Sequence, residues 1–241
     1  MCKLAPGRVR KTAAGCGARS TLSSRRHSRC PTGADARRAE IGIAHTIPLP
    51  EPRGASRVSV ETALGERRSV REFKDETLSL EELSQLLWAA QGVTAPDGGR
   101  AAPSAGATYP LEIGAVVGRV TGLEAGVYRY RPAGHRVSLV VEGDHRKALA
   151  RAALDQDWMV HAPVCVALVA VERRTARRYP ERAALYVHFE AGCASENAAL
   201  QAAALGLGTC VVGAFDDDAV ARLLGLGRGE QPLALMPFGR R

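Results

Sequence analysis

The chain predicts an α+β fold in which helices flank a central mixed or antiparallel sheet, and three stretches carry that expectation. APVCVALVAV at 162–171 is a continuous apolar run, as expected of a strand covered on both faces. Ser79 and Glu82 stand at capping-box spacing, and Leu80, Leu83, Leu86, Leu87 and Ala90 fall on one helical stripe behind them. Residues 181–205 form the longest helical stretch. It is apolar nearly all round and crowded with Ala, which suits a helix that is buried or lies at a subunit interface.

The remaining elements fall into place between these. IPLPEP at 47–52 is an extended, Pro-rich lead into the fold, and Ser59 caps a short helix running to Arg67. Trp88, on the capping-box helix, reads as core. A Gly/Pro loop follows Gly92, then PSAGATYP brings Pro103, Ser104 and Ala105 just ahead of a helical turn. LEIGAVVGRV at 111–120 reads as a strand, and GVYRY with HRVSLVVEG as a hairpin around residues 132–135. A helix is expected over 145–154, a short strand over 209–212, and a helix from Asp217 to Leu224 ended by Gly225. LALMPFG supplies a last strand, and no internal repeat is visible.

Charge separates the chain into two parts. Residues 1–40 hold ten Lys/Arg and two Asp/Glu, whereas residues 41–241 hold 23 of each, so the net +8 lies wholly at the N-terminus. Residues 1–46, rich in Arg, Ser, Gly and Ala without periodicity, are expected to be a basic, disordered extension, or an over-long start. Residues 47–241 are expected to form the folded domain. A neutral body lacks the basic footprint of a nucleic-acid-binding domain. No apolar stretch reaches the length of a membrane span and no secretory signal is visible.

Cysteine usage points to no metal. Cys2, Cys16, Cys30, Cys165, Cys193 and Cys210 show no zinc spacing, and the last three sit in apolar or Ala-rich runs, as small buried hydrophobes in a reducing cytoplasm would. His135, His161 and His188 stand apart from any Ser/His/Asp or metal set, and Asp216, Asp217 and Asp218 read as a helix cap.

The chemistry concentrates in RRSVREF at 67–73. In an extended segment Arg67, Ser69 and Arg71 share one side, where two guanidinium forks and a hydroxyl suit a phosphate. Taken alone, the run also reads as two solvated arginines beside a helix end. Read with APSAGATYPLE at 102–112 and GLGTCVVGAFDD at 206–217, it resembles the nitroreductase family of FMN-dependent oxidoreductases, and within it the SagB-type (McbC-like) dehydrogenase branch. The resemblance runs from about Ile47 to the C-terminus.

That resemblance implies a homodimer binding FMN, with a set of positions to hold it. Arg67, Ser69 and Arg71 would take the phosphate and ribityl chain, with Arg68 beside them and Arg240 closing from the C-terminus. Pro103, Ser104 and Ala105 would reach the flavin of the partner subunit. Val211, Val212, Gly213 and Ala214 would line one face of the ring, and Gln156 would pair with its pyrimidine edge. Cys193 stands where the family usually has His, and Ala107 where the usual nitroreductase has Asn.

The implied activity is that of an FMN-dependent oxidoreductase transferring hydride through the flavin on a small-molecule or peptide substrate, with NAD(P)H a possible electron donor. Two narrower readings stand beside it: an azoline dehydrogenase in peptide natural-product maturation, and a catalytically idle flavin-binding subunit of a peptide-modifying complex. Azoline dehydrogenases of this branch resemble one another in a Lys-Tyr pair upstream of the long helix. Here the nearest match is Arg178-Tyr179, which keeps the candidate catalytic tyrosine but replaces the base, and no lysine follows Lys147. An arginine guanidinium holds its proton too firmly to serve.

Overall fold

In the computed structural model, residues 46–241 are described; the expected extension lies outside them apart from Thr46, the first residue of the first strand. Seven strands form one sheet: β1 (Thr46–Pro48), β2 (Leu111–Val117), β3 (Gly126–Arg131), β4 (Arg136–Glu142), β5 (Val164–Ala170), β6 (Leu207–Thr209) and β7 (Gln231–Arg240). Their spatial order is β1-β4-β3-β2-β5-β7-β6, and every neighbouring pair is antiparallel. A bulge in the β5–β7 ladder falls at Leu168/Val169, beside the pairing of Val169 with Pro232, a residue without an N–H to offer the ladder.

The helices are α1 (Val60–Glu66), α2 (Leu80–Gln91), α3 (Arg146–Ala152), α4 (Arg173–Ala176), α5 (Ala183–Ala204) and α6 (Asp217–Leu223). Strand β5 shows how they are layered. Its even positions, Val164, Val166, Leu168 and Ala170, belong to the core that holds Leu83, Leu86 and Leu87 of α2 and Ala194, Ala198 and Ala202 of α5. Its odd positions, Cys165, Ala167 and Val169, belong to a second core with Leu149 of α3 and Val220 of α6. Period-2 alternation in a strand with both faces buried produces this split, and all seven β5 residues are buried.

Local chemistry sets the helix ends. Ser79 Oγ accepts the Glu82 N–H at 3.2 Å while Glu82 Oε2 accepts the Ser79 N–H at 2.9 Å, closing the capping box of α2. Ser59 caps α1 and Asp216 caps α6, each through its side chain. The alanines of α5 bring it close to α2 and the sheet, but its outer side is open: Leu185 and Phe189 are 41% and 60% exposed. Helix α5 is therefore buried on one side only. The elements absent from the sequence reading are α4 and a 3-10 turn at Asp157–His161.

Candidate functional site

The segment after α1 is laid along the outer edge of the sheet. Arg67 ends α1, and from there the chain runs beside β6: Ser69 forms a parallel bridge with Thr209, and Val70 N–H donates to the Thr209 carbonyl at 2.8 Å. At its far end Lys74 N–H donates to the Arg240 carbonyl at 3.0 Å. Two glycines allow this approach. A Cβ on Gly208 would stand 2.7 Å from Val70, and one on Gly239 would stand 2.8 Å from the Phe73 ring. Val70 and Phe73 thus pin the segment down, leaving Arg68, Ser69 and Arg71 exposed and Arg67 half-buried.

The cations of this edge differ in their partners. Arg67 Nε lies 3.3 Å from Glu196 Oε1 on α5. Arg240 Nη2 lies 2.7 Å from Glu82 Oε1 and its Nε 3.7 Å from Glu76. Arg68 Nη1 donates back to the Arg67 carbonyl at 2.7 Å. The hydroxyl of Thr209, the residue opposite Ser69, is buried without a hydrogen-bond partner. Glu196, Glu76 and Thr209 were not singled out in the sequence, because a charge or hydroxyl several elements away carries no local signal.

The chain leaves β6 directly into the second predicted group. Val212 is buried and bridges Leu235 of β7, while Val211, Gly213 and Ala214 are exposed. Gln156 Nε2 donates to the carbonyls of Ala153, at 2.8 Å, and Ala214, at 3.2 Å. The rings of Phe73 and Trp158 are 6.2 Å apart, which links the arginine segment to the 3-10 turn following Gln156. Arg67, Arg68, Ser69, Arg71, Arg240, Gln156 and 211–214 therefore form one continuous region.

Pro103, Ser104 and Ala105 lie in a second region, packed near the N-terminal half of α5. The turn there carries Gly106, Ala107 and Tyr109 at φ of 59°, 53° and 44°. The two non-glycine residues are costly in this conformation, on the order of 1–3 kcal/mol each, and side chains hold them. Ser104 Oγ accepts the Tyr109 N–H at 2.9 Å, Arg174 Nη1 donates to the Tyr109 carbonyl at 2.9 Å, and Arg178 Nη1 donates to the Gly106 carbonyl at 3.1 Å. Tyr179 also touches this turn: a Cβ on Gly106 would stand 2.8 Å from its hydroxyl.

Behind the turn is a buried polar set that the sequence reading missed. Glu190, 3% exposed, accepts from Gln91 Nε2 at 3.2 Å, and Gln91 Oε1 accepts from Arg100 Nη1 at 3.0 Å. Burial pushes the Glu190 carboxyl up, opposed by hydrogen bonds from Ser104 and Gln91 and by the Arg100 charge. Arg67 and the Ser104 turn thus meet α5 at Glu196 and Glu190, six positions or about 9 Å of helix rise apart.

Two sequence readings need correcting. Trp88 is half-buried rather than core, and lines an open cavity of about 810 Å³ between residues 53–58, α2 and α5, together with Gln85 and Gln201. This cavity excludes every predicted site residue. His135 is not isolated: its Nδ1 is 2.8 Å from the Tyr130 hydroxyl, and its Nε2 is 2.6 Å from Ser84 Oγ and 3.0 Å from the Pro50 carbonyl. The set lacks a carboxylate and fastens the lead-in segment to α2 and β3. Among the described residues no helix is long and apolar enough to cross a membrane.

An antiparallel sheet between two helical layers, with an Arg-Ser-Arg segment bonded along its edge, defines a nitroreductase-like α+β fold. Residues 64–240 match the nitroreductase family. A candidate nitroreductase of Methanocaldococcus jannaschii is 43% identical over 201 residues, covering 83% of this chain and 99% of that protein. The chain belongs to the nitroreductase family.

Solved structures agree. A candidate nitroreductase from Ralstonia eutropha superposes with a TM-score of 0.72 at 33% identity, covering 81% of this chain and 89% of that one. One from Anabaena variabilis gives 0.73 at 25% identity, covering 87% of this chain but 45% of its own. The Escherichia coli microcin synthetase McbBCD complex, solved with truncated pro-MccB17 bound, contains a chain matching at 0.62 and 23% identity, over 80% of this chain and 77% of that one. At that identity the likeness speaks for the fold alone.

Proposed function

We propose that this nitroreductase-family oxidoreductase binds FMN as a homodimer of the SagB-type branch, with the phosphate held at the edge of β6. The observation that carries the reading is the bonding of the 67–74 segment to Thr209 and Arg240, which gathers Arg67, Ser69, Arg71 and Arg240 at one edge. A phosphate monoester carries close to two negative charges at neutral pH, and guanidinium forks match its oxygens. The unpartnered Thr209 hydroxyl beside Ser69 is a further donor without an occupation in the protein. Gly213 fits a planar ring: a Cβ there meets no protein atom within 4 Å, so open space adjoins the backbone.

Each residue then has a task. Arg67, Ser69 and Arg71 bind the phosphate and ribityl oxygens, Arg68 adds charge, and Arg240 closes the site. Val211, Val212, Gly213 and Ala214 support one face of the ring, with Gln156 positioned by the Ala214 carbonyl toward its polar edge. Pro103, Ser104 and Ala105 serve the partner's cofactor. When bound, FMN supplies two-electron redox chemistry, and the protein supplies orientation and exclusion of water. Leu185 and Phe189 on α5 and Val60 and Leu64 on α1 are exposed apolar side chains that a second subunit would cover. The substrate is a small molecule or peptide and NAD(P)H the candidate donor. Cys165, Cys193 and Cys210 are free, in keeping with a reducing cytoplasm.

Azoline oxidation ranks lower. Tyr179 is available at the Gly106 turn, but its neighbour Arg178 is occupied as a donor to the Gly106 carbonyl, and a guanidinium is no general base. The test of the cofactor reading is FMN titration of Arg67→Ala and Arg71→Ala. Each is expected to weaken binding by roughly tenfold or more, in line with about 1.5–3 kcal/mol per charged hydrogen bond. Wild-type affinity in both would overturn it, and sedimentation showing only a 25.5 kDa species at micromolar concentration would overturn the dimer.

A further inference from the structure

Glu190 carries a carboxyl group into the core without an ion pair. Among the described residues it is the only acidic or basic side chain that is buried, and it takes part in none of the salt bridges. Its surroundings are built of donors. An arginine can only donate, so the bond from Arg100 Nη1 to Gln91 Oε1 at 3.0 Å turns the other end of that amide, Nε2, toward Glu190 Oε1 at 3.2 Å. From the turn, Ser104 Oγ already accepts the Tyr109 N–H at 2.9 Å, which leaves its own proton for the Glu190 carboxylate. Hydrogen bonds thus run toward Glu190 from both Gln91 and Ser104, and they fit the ionised form, which only accepts.

The set closes on itself. Arg100 Cζ lies 4.3 Å from the centroid of the Tyr109 ring, so the residue whose N–H bonds Ser104 also meets the cation that orients Gln91. Ser104 and Tyr109 bracket the left-handed stretch of the turn, and a circuit joining its two ends resists its relaxation to ordinary backbone. The charged groups nearby come from three elements. Arg100, in the loop, acts on Glu190 directly, whereas Glu112 of β2 and Arg174 of α4 pair with each other and act on Arg100. Helix α2 presents the neutral Gln91.

We propose that Glu190 is a positioning residue of the cofactor site: by accepting the Ser104 hydroxyl it fixes the backbone of Pro103, Ser104 and Ala105 against the flavin of the partner subunit. The assignment rests on the FMN reading only in naming what the turn serves. Glu190→Gln keeps the size of the side chain but not its acceptors. Arg100 locks the Gln91 amide, so the new N–H₂ must face Ser104, and the Ser104 proton is left without an acceptor.

The test compares the full-length wild type with Glu190→Gln, Ser104→Ala and the double variant. Hydrogen exchange of the Tyr109 amide is followed without FMN, and FMN affinity is titrated across pH. Each single variant is expected to speed the exchange and to weaken FMN binding, both about five- to tenfold. The double variant should lose no more than either single one, because both act through the same bond. Ser104→Ala, at a half-buried position, reports on that bond should Glu190→Gln fail to fold. Burial raises the Glu190 carboxyl, so the wild type should lose its advantage over Glu190→Gln at a pH above the ordinary glutamate value; ionisation of the FMN phosphate is common to both proteins and cancels in the ratio. Wild-type FMN affinity in Glu190→Gln, losses that add in the double variant, or a ratio independent of pH would overturn the assignment. A wild type that takes up no FMN would instead refute the cofactor reading. The exchange rates then decide alone: faster exchange in both single variants upholds the hold of Glu190 on the turn, and unchanged exchange refutes it.

Discussion

Arg240, the last residue of β7, places Nη2 2.7 Å from Glu82 Oε1, while the other carboxylate oxygen of Glu82 closes the α2 capping box on the Ser79 N–H. One carboxylate thus ties the start of a core helix to a cation at the candidate phosphate edge. Glu82→Ala is expected to lower stability by about 1–2 kcal/mol through loss of the cap and to leave Arg240 without its closest partner. Thermal melts read the first effect and FMN titration the second. A variant unchanged in both would refute the coupling.

Gly208 is the point where the arginine segment depends on a missing side chain. Gly208→Ala puts a Cβ 2.7 Å from Val70, and the strand backbone on one side and a β-branched residue on the other leave little room to yield. The expected result is a destabilisation of about 1–3 kcal/mol together with weakened FMN binding, since Ser69 is displaced with Val70. Full FMN affinity in a destabilised variant would show that the segment's placement is irrelevant to the cofactor.

Burial holds the His135 imidazole below its ordinary value, opposed by the Pro50 carbonyl and the charge of Glu51. As pH falls, the unfolded chain takes up this proton first, so the contribution is fully present above about 6.5, the usual histidine value, and declines as pH drops below it. His135→Gln should flatten the melting temperature between pH 7 and 5 relative to the wild type. Parallel profiles for the two proteins would refute the assignment.

Removal of residues 1–45 is expected to leave FMN binding and melting temperature unchanged. The charge imbalance ends before residue 41, and the sheet begins at Thr46. Differential scanning fluorimetry with and without FMN checks both quantities, and loss of either would show that the basic segment contributes to the site.

Much of the fold was legible because local signals were strong. The capping box at Ser79, the apolar run that became β5 and the Ala-rich stretch that became α5 all formed near their expected bounds. The short strand was expected over 209–212 and forms at Leu207–Thr209, because pairing with Phe238, Gly239 and Arg240 of β7 fixes its register. Trp88 and His135 were misread for the same reason: the 53–58 segment and the Pro50 carbonyl reach them from distant parts of the chain. At the site, the gathering of Arg67, Ser69, Arg71 and Arg240 follows the resemblance, whereas Glu196, Thr209 and the Glu190–Gln91–Arg100 set depend on tertiary packing that periodicity does not encode.

FMN seated at the β6 edge would give the reconstituted protein a flavin spectrum. After incubation with excess FMN and desalting, the wild type is expected to show flavin absorbance at one FMN per chain, and Arg67→Ala a large loss. A colourless wild-type protein after the same treatment would contradict it.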